Sequence, residues 1–311
     1  MGKASRTKAD GSRREKIAAQ RAAARRAEQR RRILIAGGSV LAVIIIIVGF
    51  IVFKANKSST PTATSTSTLT GTALAGVVSK VTAVPASSLD SVGGGSVSAK
   101  PQTITGTALT SGGKPEMLYM GAEYCPYCAA ERWSMIVALS RFGTLSGLAT
   151  IHSAAANGAG NAEPYPDTPT WTFLNAKYTS QYLTFSSVET QTNVPDKTTG
   201  SYTNLQKPTA AQTALITKYD AAPYVSAANA GSIPFIDFGN KYVSVGASYS
   251  PQVLSGLSWS QIATNLSNPS SAVAKSVDGT ANYITAAICK MTGNQPASAC
   301  TSTIQSLENQ L

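Results

Sequence analysis

Histidine is almost absent from this sequence, since the chain of 311 residues contains only His152. A single histidine argues against metal sites built from imidazoles, and it makes a cysteine-protease mechanism unattractive, because such enzymes use a histidine to activate the thiol. Charged residues are also few, at 13 % of the chain, and no internal repeat is visible. We therefore interpret His152 as a packed or hydrogen-bonded imidazole and look for chemistry in the four cysteines.

The net charge of +11 belongs mainly to the N-terminal end of the chain. Residues 1–32 contain 12 of the 26 Lys and Arg residues and 3 of the 15 Asp and Glu residues, which leaves 14 basic and 12 acidic residues elsewhere. The same segment contains no aromatic residue. It is therefore predicted to be a basic tail that lies against anionic lipid, and no nucleic-acid partner is expected.

An uncharged apolar run follows the tail directly. As a helix, residues 33–53 would span about 31 Å, which matches the hydrocarbon core of a bilayer. The run is too long for a cleavable signal peptide, and three arginines at positions 30–32 precede it, whereas only Lys54 and Lys57 follow it. We expect a single-pass protein of the plasma membrane, with its N-terminus in the cytoplasm and its C-terminal part extracytoplasmic.

Composition divides the remainder into a linker and one domain. Eleven of the fifteen residues from Ser58 to Thr72 are Ser or Thr, so residues 54–75 are predicted to form a flexible linker. Residues 76–311 have the patterns of a folded α/β domain. These patterns predict strands over Thr103–Leu109 and Glu116–Gly121, and a hairpin of Ser232–Phe238 and Lys241–Val245 joined by Gly239 and Asn240. They predict helices from Pro126 to about Phe142, over Ala210–Tyr219 after Pro208 and Thr209, and within Gln252–Leu266, Ser271–Met291 and Ala297–Leu311.

The sequence Cys125-Pro126-Tyr127-Cys128 lies at the predicted strand-to-helix junction. A helix that begins here places Cys125 at its N-cap and Pro126 in its first turn, where a missing amide hydrogen costs nothing. Free amides and the helix dipole then stabilise a thiolate at Cys125, which predicts that Cys125 attacks a substrate disulfide. Cys128, one turn further along, is placed to resolve the resulting mixed disulfide. Tyr127 and Pro126 are expected to support the turn.

Two other interpretations of this pair are open, an inert disulfide and half of a zinc site. The remaining cysteines, Cys289 and Cys300, have ten residues between them and lie in a region of helices, which is a poor match to a second zinc knuckle. We expect no metal. Cys289 and Cys300 are instead predicted to form a structural disulfide, worth roughly 3 kcal/mol in the loop-entropy model. The alternative is that Cys289 and Cys300 form a second redox pair that relays electrons to Cys125 and Cys128.

Several blocks together resemble a known superfamily: GAEYCPYCAAERW from Gly121 to Trp133, ALSRFG from Ala138 to Gly143, and SIPFIDFGNKY from Ser232 to Tyr242. They are similar to the thioredoxin superfamily, and most similar to membrane-anchored thioredoxin-like proteins catalogued as a domain of unknown function. The resemblance implies a thioredoxin-like fold with an insertion between the dithiol helix and the strand after Pro234. It also implies that Pro234 is a cis proline packed against the dithiol, and that the backbone of Ile233 binds substrate.

The sequence departs from thioredoxins near the dithiol. Thioredoxins usually have a buried aspartate six residues before the first cysteine, and this chain has Tyr119 there. Proton transfer is then expected to use Glu123 or water, or to have no dedicated group. The alternative for Glu123, and the prediction for Glu131, is a surface charge with an ion pair to Arg132. Trp133 is predicted to lie on the core face of the helix.

Taken together, these features predict a membrane-anchored, extracytoplasmic thiol–disulfide oxidoreductase that acts on cysteine-containing exported proteins and needs no cofactor. Analogy with quinone-linked disulfide oxidases suggests a membrane partner that recycles the dithiol. The direction of electron flow is left open. The competing hypothesis is a cell-surface binding or structural module whose disulfide is inert.

Overall fold

The computed structural model describes residues 68–156, 163–227 and 229–311. The predicted tail, the predicted membrane helix at 33–53 and most of the predicted linker lie outside this part of the chain. Within it, no single helix has both the length and the apolar composition to cross a bilayer. Helices Gly71–Thr82 and Ala86–Val92, which are bent by 56° at their junction, pass that test only as a pair.

The described residues alternate between helices and short strands. The helices are α1 (Gly71–Thr82), α2 (Ala86–Val92), α3 (Pro126–Leu139), α4 (Ala210–Tyr219), α5 (Trp259–Leu266), α6 (Ala272–Thr292) and α7 (Ser302–Glu308), with a 3-10 helix at Pro251–Leu254. The strands are β1 (Gln102–Thr103), β2 (Thr110–Ser111), β3 (Lys114–Gly121), β4 (Gly143–Ser146), β5 (Ala149–His152), β6 (Pro169–Thr172), β7 (Lys177–Ser180), β8 (Thr184–Glu189), β9 (Gln191–Pro195), β10 (Tyr202–Asn204), β11 (Phe235–Phe238) and β12 (Tyr242–Val245).

A mixed central sheet organises the domain, and β3 lies in its middle. The strand order is β1-β12-β11-β3-β2, and β8 also pairs with β3. The β8 pairing is parallel, with Tyr119 opposite Ser187, whereas the β11 pairing is antiparallel, with Tyr119 opposite Ile236. The C-terminal end of β3, which leads into the dithiol, is therefore held by a strand on each side.

Both faces of the central sheet are covered. A large core on one face contains side chains of α3, α5 and α6, and a smaller core on the other contains Tyr219 of α4. Successive side chains of a strand point to opposite faces, so β3 and β11 contribute side chains to both cores. Their sequences are therefore nearly continuous apolar runs. Met117, Tyr119, Ile236 and Phe238 face the large core, and Leu118 and Phe235 face the small one.

A disulfide joins the C-terminal helical elements. Cys289 near the end of α6 is bonded to Cys300, which precedes α7, with their Cα atoms 5.8 Å apart. The predicted pairing of these two cysteines is confirmed. Gly293 ends α6 in the left-handed conformation, with φ at +64°, which turns the chain back toward α7.

The structure corrects two predicted boundaries. The predicted strand Thr103–Leu109 is wrong beyond its first residue, because the chain leaves the sheet and bonds to the β11–β12 turn instead: Asn240 Nδ2 donates to Thr107 O, and Leu109 N donates to Gly239 O. The predicted linker ended at residue 75, whereas α1 begins at Gly71 and buries Val77 and Val81 in the large core.

Candidate active site

The dithiol lies where β3 passes into α3, as predicted. Cys125 is the N-cap residue of α3, Pro126 is in its first turn, and the N–H of Cys128 donates to Cys125 Sγ at 3.2 Å. The two sulfurs are not bonded to each other. Cys125 keeps 4 % of its surface exposed and Cys128 none, so Cys125 is the more accessible of the two thiols.

The environment separates the acidities of the two thiols. Burial raises the pKa of Cys125, but hydrogen bonds from the Cys128 thiol and amide, together with the positive charge of Arg132, outweigh it and lower this pKa below its usual value. Burial raises the pKa of Cys128 well above normal, and the hydrogen bond to Cys125 and the negative charge there add to the effect. Cys125 is thus the more acidic thiol of the pair, and Cys128 is the less acidic one.

The loop before β11 packs on the dithiol from a distant part of the chain. The Ile233–Pro234 peptide bond is cis, and Ile233 packs against the small buried cluster of Ala122, Cys125 and Cys128. The thiol of Cys125 points at the carbonyl of Ile233, at 3.7 Å, across 108 residues of sequence. Pro234 O accepts from Gly246 N at 2.8 Å, which ties the loop to the end of β12.

A buried ion pair lies beneath the dithiol. Arg132 of α3 binds Glu189 of β8 with two hydrogen bonds, Nε to Oε1 at 2.9 Å and Nη2 to Oε2 at 2.7 Å, and both side chains are fully buried. Burial by itself would lower the pKa of Arg132, but the charge of Glu189 raises it, so the guanidinium stays charged. Arg132 Nη2 also donates to Ala122 O at 2.8 Å. The predicted pairing of Arg132 with Glu131 is wrong.

Glu131 is not a surface charge, which corrects a second prediction. Its side chain is 1 % exposed, and its carboxylate accepts hydrogen bonds from Ser248 N at 3.0 Å and Ser248 Oγ at 3.1 Å. Burial raises the pKa of Glu131 to about 7. The physical reason is that α3 is enclosed, so every residue of this helix except Tyr127 is buried and its polar side chains must find partners inside the fold.

The two supporting residues Glu123 and Tyr127 lie on either side of the dithiol in different settings. Glu123 is 8 % exposed and accepts from Thr172 Oγ1 at 2.6 Å; no hydrogen bond joins it to either thiol within the described part of the chain. Burial raises the pKa of Glu123. Tyr127 is 39 % exposed and packs edge-on against Tyr165, with ring centroids 5.8 Å apart. Tyr127 therefore forms part of the rim of the site.

Residues with a packing role behave as predicted. His152 packs against Trp259, with ring centroids 4.4 Å apart, and Trp133 is fully buried in the large core. Sequence reasoning missed Glu189 as the partner of Arg132. The two are 57 residues apart, and no local signal marks Glu189, which stands at the end of a short strand in a segment of mixed pattern.

A buried acid on α6 predicts how stability depends on pH. Asp278 is fully buried, neither of its carboxylate oxygens has a hydrogen-bond partner among the described residues, and burial raises its pKa to about 8. Burial raises the pKa of Glu131 in the same way. Such carboxyls bind protons in the folded state that the unfolded chain has released, so the free energy of unfolding should fall as pH rises from about 4 to about 8.

Replacing Asp278 by asparagine tests this dependence. Asp278→Asn is expected to raise the free energy of unfolding at pH 9 by about 2–5 kcal/mol, to change it little near pH 4, and so to flatten the pH profile. Urea unfolding at each pH measures the effect. The exposed Asp196→Asn is the control and should leave the slope between pH 5 and pH 9 unchanged. An unaltered slope in Asp278→Asn would contradict the assignment.

These elements define the class of the protein: an α/β domain with a mixed sheet, whose central strand delivers a buried dithiol to the N-terminus of an enclosed helix. The chain belongs to the family described as a domain of unknown function (DUF929), whose model matches residues 100–290. That span includes the dithiol, Arg132, Glu189 and the Ile233–Pro234 loop. Neither the comparison with curated proteins nor the comparison with solved structures gives a match.

Proposed function

We propose that this protein is a membrane-anchored thiol–disulfide oxidoreductase with a thioredoxin-like fold, which acts on cysteine-containing proteins outside the cytoplasm. The observation that carries the proposal is the asymmetry of the dithiol. Cys125 has a lowered pKa and the residual exposure, and Cys128 has a raised pKa and none. A permanent structural disulfide does not require two thiols that differ in pKa and in exposure.

The chemistry that fits this asymmetry has two steps. The Cys125 thiolate attacks a substrate disulfide, forms a mixed disulfide, and releases one substrate thiolate. Cys128 then attacks Cys125 Sγ and breaks the mixed disulfide; the second substrate sulfur leaves and receives the proton that Cys128 loses. Two electrons pass from the dithiol to the substrate. Oxidation of a substrate dithiol is the same sequence in reverse, and the direction is set by the reduction potential and by a recycling partner.

The surroundings of the dithiol support the thioredoxin-like assignment. The bond before Pro234 is cis and precedes the penultimate strand of the central sheet, as the resemblance implies. Ile233, the residue before it, packs against the cluster that contains both cysteines. The bond between Cys289 and Cys300 is of the kind that persists in an oxidising compartment, which agrees with an extracytoplasmic domain. The anchor itself is proposed from the apolar run 33–53 and the basic tail that precedes it.

A redox titration of the purified full-length chain tests the proposal. The chain is equilibrated in glutathione or dithiothreitol buffers, free thiols are alkylated, and each cysteine is quantified by mass spectrometry. Cys125 and Cys128 are expected to interconvert reversibly between about −300 and −100 mV. The Cys289–Cys300 bond serves as an internal control and should stay oxidised to below about −300 mV. A Cys125–Cys128 pair that titrates together with the control would support an inert module instead.

A further inference from the structure

The hydroxyl of Tyr119 lies close to the thiol of Cys128 and accepts or donates no hydrogen bond within the described part of the chain. Tyr119 stands on β3 with its side chain fully buried, and its Oη has no hydrogen-bond partner among the described residues. The position that a Cβ would take on Gly121 is 2.1 Å from Tyr119 Oη and 3.0 Å from Cys128 Sγ. The hydroxyl and the sulfur therefore border the same small space, which is open because residue 121 is a glycine without a side chain.

The ring of Tyr119 is fixed by packing, so the hydroxyl has a defined place. Phe173 contacts the ring edge-on with centroids 5.4 Å apart, and the guanidinium of Arg132 lies 5.8 Å from the ring centroid. A buried hydroxyl without a hydrogen-bond partner destabilises the folded state, because it has lost its bonds to water. That cost is offset if an acceptor is created next to the hydroxyl during the reaction.

Resting on the proposed function, we propose that Tyr119 Oη donates a hydrogen bond to the sulfur of Cys128 when that sulfur carries negative charge. In the resolving step, Cys128 loses its proton as it attacks Cys125 Sγ, and the departing substrate sulfur gains a proton. When the enzyme oxidises a substrate, Cys128 is the leaving thiolate and needs the same donor. Tyr119 keeps its own proton throughout and forms no bond to substrate.

One observation and one chemical argument favour a role for Tyr119 as a hydrogen-bond donor rather than as a base. Burial raises the pKa of Tyr119 well above its usual value, so the phenol does not ionise. A thiol is a weak acceptor and a thiolate a strong one, so the hydrogen bond is stronger once charge has developed, and such a difference accelerates a step. Among the described residues, the charged and ionisable groups around the hydroxyl are Arg132, Glu189, Cys125 and Cys128. Arg132 supplies fixed positive charge from α3, and Tyr119 supplies a donor from β3.

The test uses the Tyr119→Phe variant of the full-length chain, which removes only the oxygen. The reduced chain is mixed with 5,5′-dithiobis(2-nitrobenzoate), and release of the coloured thiol is followed by stopped flow. Attack by Cys125 releases the first equivalent, and resolution by Cys128 releases the second. We expect the first phase to be unchanged within about twofold and the second to slow about tenfold. The melting temperature should stay the same or rise, because an unpartnered buried hydroxyl has been removed.

Tyr219→Phe is the matched control. Tyr219 is also fully buried, but its hydroxyl donates to Thr105 O at 2.9 Å in the small core. This variant should lose some stability but release both equivalents of the coloured thiol at the wild-type rates. If Tyr119→Phe leaves the second phase at the wild-type rate, or slows both phases equally, the inference is overturned. A wild-type chain that releases no second equivalent would overturn the proposed function itself.

A second variant keeps the inference testable if Tyr119→Phe folds poorly. Incorporation of 3-fluorotyrosine at position 119 retains the ring and makes the hydroxyl a stronger donor. The second phase is then expected to be at least as fast as in the wild-type chain, with the first phase unaltered. A second phase slowed about tenfold in this variant would overturn the inference.

Discussion

Replacing Cys125 by serine is expected to abolish thiol–disulfide exchange, and replacing Cys128 by alanine is expected to trap the mixed disulfide. A serine hydroxyl is not ionised at neutral pH, so Cys125→Ser loses the nucleophile that the N-terminus of α3 stabilises. Cys128→Ala keeps that nucleophile but lacks the thiol that would displace the substrate. We expect Cys125→Ser to lose more than about a thousandfold in rate, and Cys128→Ala to accumulate covalent adducts.

Non-reducing electrophoresis of membranes from cells that make each variant provides the measurement. Adducts should appear with Cys128→Ala, disappear on reduction, and be absent from the double variant Cys125→Ser, Cys128→Ala. The trapped partners then identify the substrates by mass spectrometry. Adducts of equal amount in the double variant would indicate that other cysteines react, and Cys125→Ser that retains full activity would overturn the proposed mechanism.

Replacing Arg132 by methionine is expected to destabilise the domain by about 3–5 kcal/mol, because the Glu189 carboxylate is then left buried without its partner. The two side chains are fully buried and share two hydrogen bonds, so neither is screened by water. The same variant should raise the pKa of Cys125, because the charge of Arg132 helps to lower it. Urea unfolding measures the first effect, and the pH dependence of Cys125 alkylation measures the second.

A double variant separates these two consequences. Arg132→Met combined with Glu189→Leu replaces the ion pair by apolar side chains, and such replacements are often neutral or stabilising. We therefore expect the double variant to recover most of the lost stability while the pKa of Cys125 remains raised. Recovery of the wild-type pKa in the double variant would contradict a role for Arg132 in activating the thiol.

Features that depend on a few consecutive residues could be predicted well. Cys125 was expected at the N-cap and Pro126 in the first turn, and both lie there, because capping and the fixed φ of proline act within one helical turn. Gly239 and Asn240 were expected to form a hairpin turn, and both have positive φ, at +65° and +57°. The helix Ala210–Tyr219 was likewise predicted with the observed bounds, and Thr209 closes a capping box at its start.

Features that depend on distant partners could not be predicted in the same way. The strand expected over Thr103–Leu109 has a suitable alternation, but the turn at Gly239 and Asn240 takes over its backbone hydrogen bonds. Glu131 was expected at the surface because glutamate is usually exposed, and only the enclosure of α3 places it against Ser248, 117 residues away.

The sequence by itself thus determined the Cys125–Cys128 pair, its place at a strand-to-helix junction, and the pairing of Cys289 with Cys300. Local dihedral preferences, capping and side-chain periodicity carry that information over a few residues, and the two C-terminal cysteines are close in the chain. Only the tertiary structure decided that Glu189 neutralises Arg132, that Ser248 binds Glu131, and that Tyr119 lies beside Cys128. Those contacts arise because the packing of β8, α3 and β3 brings charged side chains and hydroxyls from distant parts of the chain together in the buried interior. Local sequence patterns carry no information about such partners.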